Sequence, residues 1–407
     1  MNKRFNVTGL CIPSMHYMVD ISKRVEEIVR MVERGHYFTI NRPRQYGKTT
    51  TLNALSDALK EKCVVIKASF EGAGDDLFSS EEKFCSRILG RFAANIRMTD
   101  KPSSALLMKY HEKGLQHFDE LSDAITDFVE EAGKDVVLLI DEVDKSSNSK
   151  IFLQFLGLLR NKYLARNAGK DITFKSVVLA GVHDIKNLKL AIRDESDARF
   201  NSPWNIAAKF NVDMSFSSQE IQTMLLEYKE DCQLDFDAKA ISDEIYKLTN
   251  GYPYLVSDIC LIIDEELNQD WSLNGVTDAA KRILDEKSTL FDDVIKNIAN
   301  NEDLKQTVMD ILFEGKRIGY NPDTYEKGLM YGIFTKKDNQ LAIHNELFET
   351  RLYNFLLEQQ NVRTLTDPLT SVSPNRFIKD GSLDIASHFN VSGVHGAGIQ
   401  EKRRKVL

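Results

Sequence analysis

Arg42-Pro43-Arg44-Gln45-Tyr46-Gly47-Lys48-Thr49-Thr50 follows the apolar run Tyr37-Phe38-Thr39-Ile40 and precedes an amphipathic stretch reaching about Lys62. This strand–loop–helix order decides how the chain reads. A phosphate chain needs backbone N–H groups facing a concavity, a mobile cation, and a hydroxyl beside magnesium. Gly47 permits close backbone approach, Lys48 reaches phosphate oxygens, and Thr49 offers the hydroxyl. The new helix aims its positive end at the anion. The expected nucleotide-binding set is Arg44, Gln45, Tyr46, Gly47, Lys48, Thr49 and Thr50. The full pattern, G-x-x-x-x-G-K-[ST], would place its first glycine at position 42, where this chain has Arg42.

A second motif strengthens the first. Val136-Val137-Leu138-Leu139-Ile140 reads as a buried strand and ends in Asp141-Glu142. An aspartate there can hold magnesium, with Thr49 as its companion ligand. The glutamate beside it can polarise an attacking water, so Glu142 and Lys48 form the expected catalytic pair. Standing alone, two acids closing a strand would equally suit a solvated end. A further strand, Phe174 to Ala180, leads into Gly181-Val182-His183, and His183 is a candidate sensor of the terminal phosphate. Arg193 and Arg199 follow, each a candidate arginine finger or a solvated side chain.

Around these motifs, β-branched runs alternate with helical periodicity. Residues 21–34 form a helix stopped at Gly35, and Cys63 to Phe70 form a strand. Helical spacing covers 78–132 with a break near Asp100-Lys101-Pro102. Another helix runs from Ile151 to about Ala165, and Ile206 to Phe210 suggests a short fifth strand. This alternation predicts an α/β fold, a parallel sheet with helices on both faces. Ser217 to Glu220 carries capping-box spacing, after which the chain reads as helical to about 315. Gly251-Tyr252-Pro253 opens one of these helices with an N1 proline. Gly332 to Thr335 and Gln340 to His344, joined by a polar turn, predict a hairpin behind helices, a winged-helix-like unit.

The bulk numbers set bounds. The 407 residues suggest two or three domains, with 42% hydrophobic and 28% charged residues. A formal net charge of -8 argues against a dedicated nucleic-acid coat while leaving room for a local basic face. Cys11, Cys63, Cys85, Cys232 and Cys260 are odd in number and lack metal-ligand spacing, as expected of reduced thiols in a cytoplasmic protein. Neither a signal sequence nor a membrane span is legible.

Together these residues resemble the AAA-like ATPases of prokaryotes, close to the STAND and archaeal-type groups of the P-loop NTPase superfamily. The resemblance covers about residues 5–360. It rests on the Arg-Pro-Arg-Gln-Tyr-Gly-Lys-Thr loop, the Leu-Leu-Ile-Asp-Glu strand, Gly251-Tyr252-Pro253 and the hairpin region. His16-Tyr17-Met18-Val19-Asp20 is similar to the segment this group sets beside the adenine. The group often writes arginine where Arg42 stands. The resemblance implies ATP as substrate, Mg2+ as cofactor, and nucleotide-to-domain coupling through Gly251 and Pro253. The expected division is a P-loop ATPase domain over 1–215, a helical lid over 216–300 and a winged-helix-like domain over 301–360. A tail over 361–407 resembles the start of a further domain, nuclease-like in many relatives. The implied function is a Mg-dependent ATPase acting as a conformational switch, with self-association and a DNA or protein client. Two alternatives stay open. One is a nucleotide-binding adaptor with little turnover. The other is a DNA-binding regulator using Lys316, Arg317, Lys327, Lys336 and Lys337.

Overall fold

The computed structural model describes residues 3–71, 74–146, 149–182 and 204–366, with two short strands, Ile378–Lys379 and Ser382–Leu383. Four strands form the first sheet: β1 (Phe38–Asn41), β2 (Val64–Ser69), β3 (Val136–Asp141) and β4 (Ser176–Gly181). Their order is β1-β4-β3-β2, and every pair is parallel. All six residues of β3 and of β4 are buried, as a strand covered on both faces requires. The expected fifth strand at Ile206–Phe210 is reduced to one parallel bridge, Phe38 to Ala208, on the free side of β1. The chain turns over residues 204–206, where the fully buried Trp204 ring stacks on Tyr37, and pairs with β1 only at Ala208.

The helices over this part are α1 (Ser22–Glu33), α2 (Lys48–Leu59), α3 (Gly74–Leu77), α4 (Glu81–Ile96), α5 (Lys101–His111), α6 (Phe118–Ala132) and α7 (Lys150–Asn167). The long helical stretch divides where local chemistry demands. Ser80 caps α4 by accepting from the Lys83 N–H. Asp100 caps α5 by accepting from Ser103 N–H, with proline in its first turn. Strand alternation then sorts the helices. Val137 and Leu139 of β3 pack into the core holding α1 and α2. Val136, Leu138 and Ile140 pack into the core of α4, α6 and α7. Helices therefore cover both faces, as expected.

The remainder is mostly helical: α8 (Ser218–Asp231), α9 (Ala238–Thr249), α10 (Pro253–Glu265), α11 (Leu273–Asp285), α12 (Thr289–Ala299), α13 (Glu302–Leu312), α14 (Glu326–Met330) and α15 (Glu346–Thr366). The capping box at Ser217 and Glu220 forms in full. A small antiparallel sheet joins β5 (Ile318–Gly319), β6 (Phe334–Lys337) and β7 (Gln340–Ile343) in the order β5-β7-β6. The hairpin turn is tighter than its polar run suggested. Lys336 and Lys337 pair in β6, leaving Asp338 and Asn339, both at positive φ, to reverse the chain. The core containing α1 and α2 continues unbroken through α8–α11 into α12, α13 and α15.

Candidate functional site

The loop after β1 turns sharply at Gln45 (φ 55°) and Gly47 (φ 76°), and Gly47 is the residue from which α2 starts. No atom lies within 4 Å of where a Gly47 Cβ would sit, so its left-handed backbone, rather than crowding, favours glycine. Lys48 is buried, its ammonium donating to the Arg42 carbonyl at 3.0 Å and the Pro43 carbonyl at 2.8 Å. Burial lowers its pKa, opposed by the nearby Glu142, Asp141 and Asp144 carboxylates.

Thr49 Oγ1 donates to Asp141 Oδ2 at 2.6 Å across 92 residues of chain. The sheet produces this meeting: β1 and β3 both flank β4, in parallel, so their C-terminal ends lie on one edge. A hydroxyl and a carboxylate side by side form a pair of hard oxygen donors. Mg2+ is commonly held by one or two protein oxygens plus phosphate and water, and this pair fits that pattern. Glu142 adopts a left-handed φ of 54°, with its N–H donating to Asp141 Oδ1 at 2.9 Å. This kink sends consecutive acids in different directions. Burial, then the Asp141 charge, raises the Glu142 pKa, while Lys48 opposes the shift.

Arg42 explains the missing glycine. Its guanidinium donates to the Val212 carbonyl at 2.7 Å and the Asn41 carbonyl at 2.8 Å, and lies over the Phe210 ring. These contacts hold the side chain beneath the loop.

Two adjoining cavities share Gly9, Gln45, Tyr46, Gly47, Thr49, Thr50, Glu71 and Glu142 in their walls. The first, of about 580 Å³, also meets Arg44, Lys48, Asp144 and Val182. The second, of about 550 Å³, is largely apolar, with Val7, Met18, Val19, Ile21, Phe216 and Pro253. Sequence reasoning missed Glu71, just beyond β2, and Asp144, three residues after Asp141. The Asp144 carboxylate accepts from the Val182 N–H at 2.6 Å, tying the ends of β3 and β4. An acid following a buried strand was the available signal for both. His183, Arg193 and Arg199 lie outside the described residues.

The Gly251-Tyr252-Pro253 turn reaches the loop directly. Gly251 has a φ of 69°, and a Cβ there would meet the Phe216 carbonyl oxygen at 1.9 Å. Tyr252 OH donates to the Arg44 carbonyl at 2.7 Å, and Pro253 begins α10. The Tyr46 and Tyr252 rings meet edge to face at 4.7 Å. Tyr46 OH also contacts Ser215 Oγ at 2.8 Å and His344 Nε2 at 3.1 Å, beyond the end of β7. Burial drives the His344 pKa down to about 4. Arg44 pairs with Asp293 of α12 at 2.9 Å, and Pro43 packs against Gly332. Each of Pro43, Arg44 and Tyr46 thus touches an element some 200 to 300 residues downstream.

A sheet of this order, with such a loop and acidic strand end, defines a P-loop ATPase fold. The chain matches the AAA-like domain family over residues 13–354 and belongs to it. Among solved structures it is similar to a Walker-type ATPase of Pyrococcus abyssi, with 15% identity and a TM-score of 0.53, covering 86% of this chain and 99% of that one. It also matches the ORC2 protein of Aeropyrum pernix at 14% identity and TM-score 0.40, covering 84% and 95%. The RuvB Holliday junction branch migration motor of Thermotoga maritima matches at 12% identity and TM-score 0.40, covering 79% and 91%. No curated protein matches. Among the described residues, no helix is long and apolar enough to cross a membrane.

Proposed function

We propose that this protein is a magnesium-dependent ATPase working as a conformational switch. The observation that carries the reading is the 2.6 Å contact of Thr49 with Asp141, where Thr49 lines a cavity together with Lys48 and Glu142. The loop N–H groups and Lys48 hold the phosphates, and Thr49 with Asp141 hold the metal, which neutralises phosphate charge. The apolar second cavity suits the adenine, and its Met18 and Val19 belong to the segment expected beside the base. Glu142 lies within the water-accessible cavity, and its raised pKa suits a group that takes a proton from water.

The switch arises in the division of labour among 1–215 as ATPase unit, 216–300 as helical lid and 301–360 as winged-helix-like unit. Gly251 and Pro253 couple nucleotide to the later units because Tyr252, between them, bonds the loop backbone. His183 as sensor, and Arg193 or Arg199 as a finger in cis or from a second copy, complete the proposal. The adaptor with little turnover has one observation in its favour: Arg44 and Tyr46 are already engaged by downstream elements. The DNA-binding reading has less support. Lys316 is paired with Asp310 and Glu314, which removes charge from the proposed basic face.

Phosphate release and nucleotide binding test the reading together. Lys48→Ala is expected to abolish ATP binding. Glu142→Gln is expected to retain binding and lower turnover by about 100-fold or more, the usual contribution of a general base. Turnover retained by both variants would overturn the mechanism. A wild-type protein that binds ATP and releases phosphate only at the rate of Glu142→Gln would establish the adaptor.

A further inference from the structure

The loop and the acidic strand end enclose the phosphate cavity on one side only. The opposite wall comes from α12, which no motif marks. Leu290, Asp293, Val294 and Asn297 recur there at helical spacing, and all line the cavity together with Lys296. Leu290 and Val294 are buried and fix the helix against the core, while Lys296 is exposed. Asp293 is engaged by Arg44. Among the described residues the Lys296 ammonium has no hydrogen-bond or ion-pair partner, although Glu71, Glu142, Asp144 and Asp293 share the cavity with it.

We propose that Lys296 is a phosphate-binding residue supplied by α12, which contacts the terminal phosphate of a nucleoside triphosphate and makes the site prefer triphosphate over diphosphate. The inference rests on the nucleotide-binding reading above and adds a residue to it. The charge arrangement requires such a group. The inner phosphates of a nucleotide lie against the loop N–H groups and the start of α2. The terminal phosphate projects past them toward Asp141 and Glu142, where the protein's own charge is negative. One metal ion offsets part of that repulsion. Lys48 serves from the loop side and Arg44 is held by Asp293, so the cation on the far wall is Lys296. A diphosphate stops short of this wall, so Lys296 distinguishes the two ligands. An ammonium on an exposed helix face reaches phosphate without displacing any partner. It also links the terminal phosphate physically to the downstream helices, which is where a switch must register it.

The test measures ATP and ADP affinity of the full chain with Mg2+ present. Wild type is compared with Lys296→Ala, Lys296→Arg and Lys48→Ala. Alanine at an exposed helix position leaves folding intact. Lys296→Ala is expected to weaken ATP about tenfold or more, the scale of one charge-assisted hydrogen bond, while ADP changes less than about twofold. Lys296→Arg should restore the preference. An unchanged ATP-to-ADP ratio in Lys296→Ala, or equal weakening of both, would overturn the proposal while leaving the nucleotide site standing. Wild type that binds neither nucleotide would remove the site itself, and this inference with it.

Discussion

The cavity beside the Gly47 loop has two walls built by different means. Gly47, Lys48, Thr49 and Glu142 form one, with the buried Asp141 behind Thr49. They are brought together by backbone alone, a loop and a strand end at one edge of a parallel sheet. Tyr252, Asp293, Lys296 and Tyr331 form the other, delivered by side chains from a turn and helices far along the chain. The first wall is anchored by β3 and β4, whose residues are all buried between helices on both faces. The second meets the loop through a few contacts, Tyr252 to Arg44, Tyr46 to His344 and Arg44 to Asp293. A switch needs this asymmetry: one rigid wall to hold the ligand and one that can be released.

The most damaging substitution should fall at the hinge of the second wall. A Cβ at Gly251 would sit 1.9 Å from the Phe216 backbone oxygen, at a φ of 69°. Left-handed strain and overpacking together make Gly251→Ala cost about 2–5 kcal/mol. Gly47→Ala, with open space around its Cβ, should carry only the strain, about 1–2 kcal/mol. Urea unfolding compares them. Equal losses would mean that the two walls are held alike.

Next in size is an acid sensitivity placed at the junction of the walls. His344 is held neutral, its pKa lowered from 6.5 to about 4 by burial. The unfolded chain therefore takes the proton first. Stability from this group is fully present above pH 6.5 and is lost as pH falls toward 4, in all about 3 kcal/mol. Asp258 works in the opposite sense. Burial raises its pKa to about 6, so its protonation favours the folded state as pH falls. Comparing wild type with His344→Gln between pH 7 and 4.5 isolates the histidine. A variant with the same acid slope as wild type would remove His344 from the account.

The difference between the walls also explains what was legible in the sequence. The four strands, α2, Thr49 and Asp141 follow from local rules: apolar runs, a glycine before a lysine, an acid closing a strand. Those rules need only neighbours in the chain. Lys296 has no such signature. It sits on an amphipathic helix among ordinary charges, and only tertiary packing turns its face toward the loop. The same limit applies to Arg42, whose partners Val212 and Phe210 lie some 170 residues away. It applies also to Ile206–Phe210, where a strand-like pattern begins in a turn and leaves one bridge.

The smallest effect probes how the second wall lets go. Arg44 and Asp293 meet at 2.9 Å, but their side chains are 63% and 36% exposed. Solvent screens such a pair, and a double-mutant cycle with Arg44→Ala and Asp293→Ala should give a coupling of about 0.2–1 kcal/mol. Raising salt to about 1 M, where the screening length is roughly 3 Å, should remove most of it. Weakness here is what the switch reading requires. A terminal phosphate bonded to Lys296 on the same helix would offer a charge-assisted bond of about 1.5–3 kcal/mol, enough to shift α12 against a pair this exposed. A measured coupling above about 2 kcal/mol, insensitive to salt, would make the pair a fixed strut. The two walls would then move as one body, and the nucleotide could be held without any release of α12.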